Sequence, residues 1–397
     1  MSRFRIYPTI EQRLALLEQC KHARYMWNLA LEQWSMWKRE KGPAPGYHVQ
    51  SRQLTEARAA FAWLRAGSQT VQQQALRDFE LAVRSFYSGT HAPPSWRKAG
   101  RNEGFRIVGR QASRVVKLSG KWAAALVPKV GWVRFRSSRT VPDAKSYRIT
   151  CDPAGRWHIA FAAIPLPIAG PGNGVVVGVD RGVAVSAALS TGELLACPQL
   201  SEPEQQRLKC LQRRLARCRA GSNRRLRVKA AIAKLRARAR DRRRDWIEKT
   251  STRLARDYDV IRVEDLRVPQ MTRRPRSKPA AVPGRYARNG RRAKAGLNRG
   301  ILTSGWGQLV ARLEHKAPGR VEKVDPAYTS QTCSLCGSCA SENRESQSIF
   351  RCRACGHESN ADVNAAINIA AGRAVSARRE TPPRVSLKRE PQLTTSP

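Results

Sequence analysis

Three carboxylates stand where structured runs end or begin. Asp180 closes Val175-Val176-Val177-Gly178-Val179, Glu264 closes Val260-Ile261-Arg262-Val263, and Asp362 opens a segment whose Ala365, Ala366, Ile369 and Ala370 give a small apolar face. An acid at a strand end is more often solvated than functional, so each says little alone. Together they suit phosphodiester hydrolysis, because carboxylates on adjacent strand ends and a helix can hold two hard cations roughly 4 Å apart. Asp265 competes with Glu264, although strand alternation turns only one of the two inward. Asn360 is placed to cap the helix that begins at Asp362.

A second constellation is Cys333-x2-Cys336 and Cys352-x2-Cys355, separated by fifteen residues. Four thiolates in two such pairs have the spacing that closes a tetrahedral zinc ribbon. A closed site leaves no position for water, so a single Zn2+ there is expected to hold shape and not to catalyse. The other six cysteines are scattered, which fits a reducing compartment, and Cys339 and His357 receive no role. The chain has no G-x-x-x-x-G-K-[ST] loop, no G-x-S-x-G elbow and no paired histidines. A nucleotide cofactor is therefore not expected.

Charge narrows the partners. The chain has 397 residues, with 74 Lys and Arg against 30 Asp and Glu, a formal charge of +44. A polyanion is the natural partner for such a chain. No apolar run of the length a membrane span needs is found, nor a signal-peptide core, so a cytoplasmic protein with no membrane partner is expected. The length calls for two to four units.

The elements that must position these groups begin with a strand over residues 1–10. Leu14, Leu17, Cys20, Trp27, Leu31 and Trp34 then recur at near-helical spacing. Gly42, Pro43, Pro45 and Gly46 break that helix, and a further one carries Val71, Leu76, Phe79, Ala82, Val83 and Phe86 on one face. After Pro93-Pro94 come short strands at Phe105–Ile107, Val115–Val116 and Trp132–Phe135. A hairpin follows, with Tyr147–Thr150 and Trp157–Phe161 flanking Asp152-Pro153-Ala154-Gly155. These strands are expected to form one barrel with the helices inserted after its first strand. Beyond a Pro- and Gly-rich linker at 165–174, a strand ends on Asp180, and Val183–Leu189 continues as its antiparallel partner.

Residues 201–250 hold 18 Lys or Arg against 5 Asp or Glu and read as a helical hairpin around Gly221-Ser222-Asn223. Leu208, Leu211 and Leu215 mark one helix, Leu226, Ile232 and Leu235 the other. So lopsided a surface is expected to meet phosphate, with Arg224, Arg225, Arg242, Arg243 and Arg244 as contacts. The segment from Arg267 to Ala295 lacks periodicity and reads as a mobile loop that orders on nucleic acid. A helix through Trp306, Leu309 and Leu313 precedes a strand at Val321–Val324.

At these residues the sequence resembles the TnpB family of transposon-encoded RNA-guided nucleases and their relatives, the compact type V CRISPR effectors. The resemblance rests on Val177-Gly178-Val179-Asp180-Arg181-Gly182, Val263-Glu264-Asp265-Leu266, Thr329 through Gly337, and Cys355-Gly356-His357 with Asn360 through Ala366. Weaker echoes are Tyr25-Met26-Trp27-Asn28 and Pro94-Ser95-Trp96-Arg97-Lys98. Asn343-Arg344 with Ser346-Gln347 is similar to the subgroup carried by serine-recombinase transposons. Arg181 departs from the family, where many members have an apolar residue; it either touches substrate phosphate or points to solvent.

The resemblance implies a multidomain α+β protein: an N-terminal β-barrel with an inserted helical domain, then an RNase H-like (RuvC) α/β nuclease domain with an inserted zinc ribbon. The expected boundaries are 1–10 with 93–168 for a wedge-like barrel and 11–92 for a helical recognition domain. The nuclease domain takes 174–331 with 357–372, the ribbon 332–356, and a disordered basic tail 373–397. Asp180, Glu264 and Asp362 would hold two catalytic Mg2+, Cys333, Cys336, Cys352 and Cys355 one structural Zn2+, and Arg344 would contact the scissile strand. The partners implied are a guide RNA and double-stranded target DNA, in a prokaryotic cytoplasm at the nucleoid. Two rival readings are a DNA-strand-transfer transposase and a guided repressor that binds without cutting. A non-enzymatic RNA chaperone is a third, and it leaves the placement of the acids unexplained.

Overall fold

The computed structural model describes residues 2–37, 40, 42, 44–279, 286–287 and 290–372. The basic tail and part of the Arg267–Ala295 segment lie outside the described residues. The chain divides into two compact units, Met1–Leu166 with Gln199–Arg242, and Pro167–Pro198 with Arg243–Pro397.

In the first unit β1 (Ser2–Arg5) leads into α1 (Ile10–Met36) through a capping box. Thr9 accepts from the Gln12 backbone N–H, and the Gln12 side chain accepts from that of Thr9. α2 (Tyr47–Ala60), α3 (Ala62–Ala66) and α4 (Gln69–Tyr87) follow. Six strands complete the unit: β2 (Gly104–Val108), β3 (Val115–Lys117), β4 (Trp122–Val127), β5 (Gly131–Arg136), β6 (Ser146–Cys151) and β7 (Trp157–Phe161). They form a sheet of order β1-β7-β6-β2 and another of order β3-β4-β5, joined by a bridge between Ile6 and Phe135. The expected β6–β7 hairpin is present, its turn closed by Asp152, whose carboxylate accepts from Ala154 and Arg156 N–H.

Several details differ from expectation. Leu16 is fully buried, whereas Leu14 and Leu17 are exposed, because the face through Cys20, Trp27 and Leu31 extends one turn back to position 16. α2 and α3 were not anticipated, since of their residues only Gln50, Leu54 and Leu64 are buried. The helices and strands also share one apolar core, in which Leu16, Met26 and Phe79 join Phe4, Phe135 and Phe161. Two short motifs meet within this unit: Trp27 Nε1 donates to the Ser95 carbonyl, Asn28 exchanges two hydrogen bonds with Arg97, and the Arg97 guanidinium lies 3.7 Å from the Trp27 ring centre. Burial lowers the Arg97 guanidinium to about 10.

The basic hairpin is α5 (Glu202–Arg217) and α6 (Asn223–Asp257), and the division between the units falls within α6. α5 buries no residue. Leu226 is exposed, and Val228, Ile232 and Leu235 supply the buried face of α6.

The second unit is built on a five-stranded sheet of order β10-β9-β8-β11-β14, comprising β8 (Val176–Asp180), β9 (Ala187–Leu189), β10 (Leu194–Leu195), β11 (Val260–Glu264) and β14 (Val321–Val324). β8, β11 and β14 are parallel, and β9 is antiparallel to β8. β9 is shorter than expected, as residues 181–186 form a loop. The neighbouring short elements are α7 (Val268–Met271), β12 (Lys278–Pro279), β13 (Tyr286–Ala287), α8 (Arg291–Ser304) and α9 (Trp306–Lys316). α8 therefore begins inside the stretch read as a loop.

Strand alternation decides what each face of this sheet does. Val177, Val179, Ile261 and Val263 turn to one core with Ile247, Leu254, Leu309 and Leu313. Gly178, Asp180, Arg262 and Glu264 occupy the opposite face, covered by α10 (Ala361–Ala370). α10 lies so close that a Cβ on Gly178 would fall 2.0 Å from the Ala366 carbonyl oxygen. Arg262 fixes the far end of the helix by donating to the Ala370 carbonyl at 2.5 Å.

Candidate active site

The register brings the three acids together. Val263 pairs with Val179 on parallel strands, so Glu264 and Asp180 stand next along β11 and β8, at their shared C-terminal end. The third acid arrives by helix geometry. Gly178 contacts α10 at Ala366, Asp180 lies two residues or about 6.6 Å further along the strand, and Asp362 lies four residues or about 6 Å back along the helix. A Cβ on Gly182 would sit 3.7 Å from Asp362 Oδ2, which shows that β8 and α10 run in opposite directions. The expected cap is present, with Asn360 Oδ1 accepting from Asp362 and Val363 N–H.

Electrostatics records the convergence. Asp180 is pushed up from 3.8 to about 7, first by burial and then by the charges of Glu264 and Asp362. Burial also raises Glu264 and Asp362, against the attraction of Arg344 for both. Arg344 Nη2 lies 3.2 Å from Asp362 Oδ1. Glu264 is buried and Asp265 exposed, so the alternation argument selects Glu264. Glu264 Oε1 accepts from Thr329 Oγ1 at 3.1 Å, a partner to which sequence reasoning gave no role.

Arg181 corrects the expectation of a phosphate contact or a solvent-facing side chain. It is only 6% exposed, and its guanidinium donates to the Glu264 backbone carbonyl. The charge of arginine argued for exposure, but the carbonyl at the end of β11 is a buried acceptor within its reach. Arg225 likewise donates to the Leu215 and Cys218 carbonyls, closing the α5–α6 turn. Arg242 pairs with Glu204, and Arg243 is half-buried beside Cys197. Arg224 and Arg244 lie exposed, the former around an open hollow with Arg213, Arg214 and Arg217.

The four cysteines form one cluster, with all sulfurs within 4.8 Å of one another. Cys333 and Cys355 Sγ are 3.8 Å apart, Cys336 and Cys352 Sγ 3.5 Å. Tetrahedral zinc with bonds of about 2.3 Å separates its sulfurs by about 3.8 Å, so the set fits that ion. Each knuckle is closed in the same way, Gly337 N–H donating to the Cys333 carbonyl and Gly356 N–H to that of Cys352. Both glycines have positive φ, 78° and 71°, which disfavours a side chain there. N–H groups at Cys355 and Ala354 help hold the Cys352 thiol down to about 6. β15 (Ile349–Arg351) and β16 (Glu358–Asn360) pair beside the cluster, and Asn343 ties the knuckles by donating to the Gln331 and Ser338 carbonyls while accepting from Arg353 N–H.

Three family models match successive parts of the chain. Their descriptions are a helix-turn-helix domain over residues 2–42, "Probable transposase" over 165–274, and a Cas12f1-like TNB domain over 306–369. The described residues of the first stretch hold β1 and the single long α1 as their main elements. Among solved structures, a Cas12f1–sgRNA–target DNA complex matches 91% of this chain and 82% of its own with a TM-score of 0.52 at 14% identity, a likeness of fold. The fold and the cysteine cluster thus define a Cas12f-like multidomain architecture with a zinc-finger-like TNB domain. InsQ of Escherichia coli (strain K12), named as an RNA-guided DNA endonuclease, is 37% identical over 324 residues, 79% of this chain and 77% of its own. A Streptomyces pristinaespiralis protein of the same description is 29% identical over 417 residues, 99% and 96% of the two chains. The chain belongs to the TnpB (OrfB) family.

Proposed function

We propose that this protein is an RNA-guided DNA endonuclease that hydrolyses target DNA with divalent cations held by Asp180, Glu264 and Asp362. The observation that carries the reading is the meeting of these three acids from β8, β11 and α10 on one face of one sheet. The donor set is all oxygen, right for Mg2+. The charges of Glu264 and Asp362 both reach Asp180, which supports a shared carboxylate between two cation positions.

Paired Mg2+ ions supply Lewis-acid polarisation of the phosphate and activation of the attacking water. Asp180, whose carboxyl feels the charges of both other acids, would be shared between the two positions, with Glu264 and Asp362 each completing one. Arg344, beside Asp362, would turn its guanidinium to a phosphate oxygen of the scissile strand. The mixed sheet with acids at adjacent strand ends supports an RNase H-like (RuvC) domain formed by 174–331 and 357–372. The barrel of 1–10 and 93–168, the helices of 11–92 and the α5–α6 hairpin would grip guide RNA, a short flanking motif and target DNA. Base pairing would read the sequence. The names of the relatives and the charge of +44 support these partners. The presence of all three acids favours cutting over a guided repressor. No helix among the described residues is long and apolar enough to cross a membrane.

The test is cleavage of a double-stranded DNA complementary to the RNA that copurifies with the protein. Asp180→Ala should abolish cutting without loss of RNA. Joined DNA products formed without RNA would replace this reading with strand transfer.

A further inference from the structure

The proposed active site and the cysteine ribbon are connected by polar side chains that neither assignment uses. Thr329 is 2% exposed, and its single hydroxyl proton faces Glu264 Oε1 at 3.1 Å and the Pro326 carbonyl at 3.2 Å. An ionised carboxylate is the stronger acceptor of the two. The backbone at this residue and just after it is held from α10. Asn368 donates one amide hydrogen to the Thr329 carbonyl at 3.0 Å and the other to that of Thr332 at 2.7 Å. Asn364, one turn earlier, donates to the Thr332 carbonyl at 2.8 Å and accepts from Ser334 N–H at 2.9 Å, on either side of Cys333. Both asparagines are buried, at 0% and 1% exposure.

Two buried asparagines in a helix interior are costly unless each polar group has a partner, and asparagine is a poor helix former. Here three amide hydrogens, two from Asn368 and one from Asn364, go to one short backbone segment, while Asn368 Oδ1 is buried without a partner among the described residues. That segment also carries Tyr328 at φ 61°, a conformation that non-glycine residues keep only where surrounding bonds over-determine it. Thr332 adds a further bond, from its hydroxyl to the Tyr328 carbonyl. The turn from 328 to 334 is thus clamped to the helix that bears Asp362, and it presents one hydroxyl to Glu264.

We infer that Thr329 is a positioning residue for Glu264, held in place by Asn368 and Asn364, so that the first cysteine knuckle, Glu264 and Asp362 move as one piece. The inference rests on the proposed role of the acids as cation ligands. Thr329 fixes which way the Glu264 carboxylate faces, and the clamp sets the Glu264-to-Asp362 spacing through α10. Groups that orient a ligating carboxylate typically change metal affinity by about 10- to 100-fold when removed.

The experiment is Mn2+ binding to nucleic-acid-free, zinc-loaded full-length protein, followed by calorimetry, beside wild type and Glu264→Gln. Thr329→Val keeps the shape and removes the donor; Thr329→Ser keeps the donor and removes the methyl. Thr329→Val should weaken Mn2+ binding about 10-fold or more with zinc content unchanged, and Thr329→Ser should bind as wild type. Asn368→Ala should weaken binding in the same direction while leaving the hydroxyl present. Wild-type binding by folded Thr329→Val or Asn368→Ala, with Glu264→Gln defective, overturns the positioning role alone. If Glu264→Gln itself binds as wild type, the assignment of the acids falls. A Ser variant more damaged than the Val variant would make the residue a packing group and also overturn the inference.

Discussion

Replacing Asp180 by Asn should stabilise the protein in magnesium-free buffer while destroying its proposed activity. The Asp180 carboxyl is raised from 3.8 to about 7, chiefly by burial, with Glu264 and Asp362 adding repulsion. An acid raised in the folded chain binds its proton more tightly there than when unfolded, so stability is fullest below pH 4 and falls as pH climbs to 7. Above pH 7 the penalty is complete, and at ~1.36 kcal/mol per pH unit it amounts to about 4 kcal/mol. Asn keeps the shape without the charge. Denaturant unfolding of Asp180→Asn and wild type at pH 8 and pH 4, with zinc retained, should show the variant more stable by about 4 kcal/mol at pH 8, the gap closing near pH 4. Millimolar Mg2+ should stabilise wild type at pH 8 and leave the variant nearly unmoved. A gap equal at both pH values, or a less stable variant at pH 8, would refute the claim that three carboxylates crowd one buried site.

Other substitutions probe the supports. Gly178→Ala places a methyl 2.0 Å from the Ala366 carbonyl oxygen and should cost about 3 kcal/mol, read by thermal unfolding, with loss of cleavage as α10 is pushed off β8. Cys352→Ser should lower bound zinc from about one per chain, measured by atomic absorption, and abolish cutting, because the ribbon adjoins the segment that bears Thr329. Arg344→Ala should raise the Asp362 carboxyl further by removing its nearby cation, so cleavage should need a higher pH than in wild type, read from pH–rate profiles. RNA binding should weaken steeply between low and moderate salt, and a flat response would count against extended backbone contact by this +44 chain.

Asp180 and Glu264 were legible because each ends a valine-rich run, Asp362 because it opens a helix with a small apolar face, and the C-x-x-C pairs carry their own spacing. What spacing could not supply was register. Only the Val263–Val179 pairing puts Glu264 beside Asp180, and only the contact of Gly178 with Ala366 brings Asp362 to their level. Arg181 was misread because its charge argues for exposure, while its buried partner is a main-chain carbonyl that no side-chain pattern reveals. Leu14 and Leu17 continue the near-helical spacing of Cys20, Trp27 and Leu31, yet Leu16 is the buried residue, because a face traced by approximate spacing can slip against the 3.6-residue period. α2 escaped notice because a mostly polar helix gives little periodic signal. Thr329 and Asn364 were visible as motif letters and Asn368 was not, but the function of all three lies in hydrogen bonds across more than thirty residues of chain.

The central claim is that Asp180, Glu264 and Asp362 form one cation site that cuts RNA-specified DNA. The most direct measurement is cleavage of a matched double-stranded DNA by the purified protein–RNA complex in Mg2+, for wild type and for Asp180→Ala, Glu264→Ala and Asp362→Ala. Wild type should cut only the matched DNA, and each variant should retain its RNA, bind that DNA and leave it intact. Cutting at wild-type rate by any one of the three variants, or cutting of unmatched DNA as readily as matched, would contradict it.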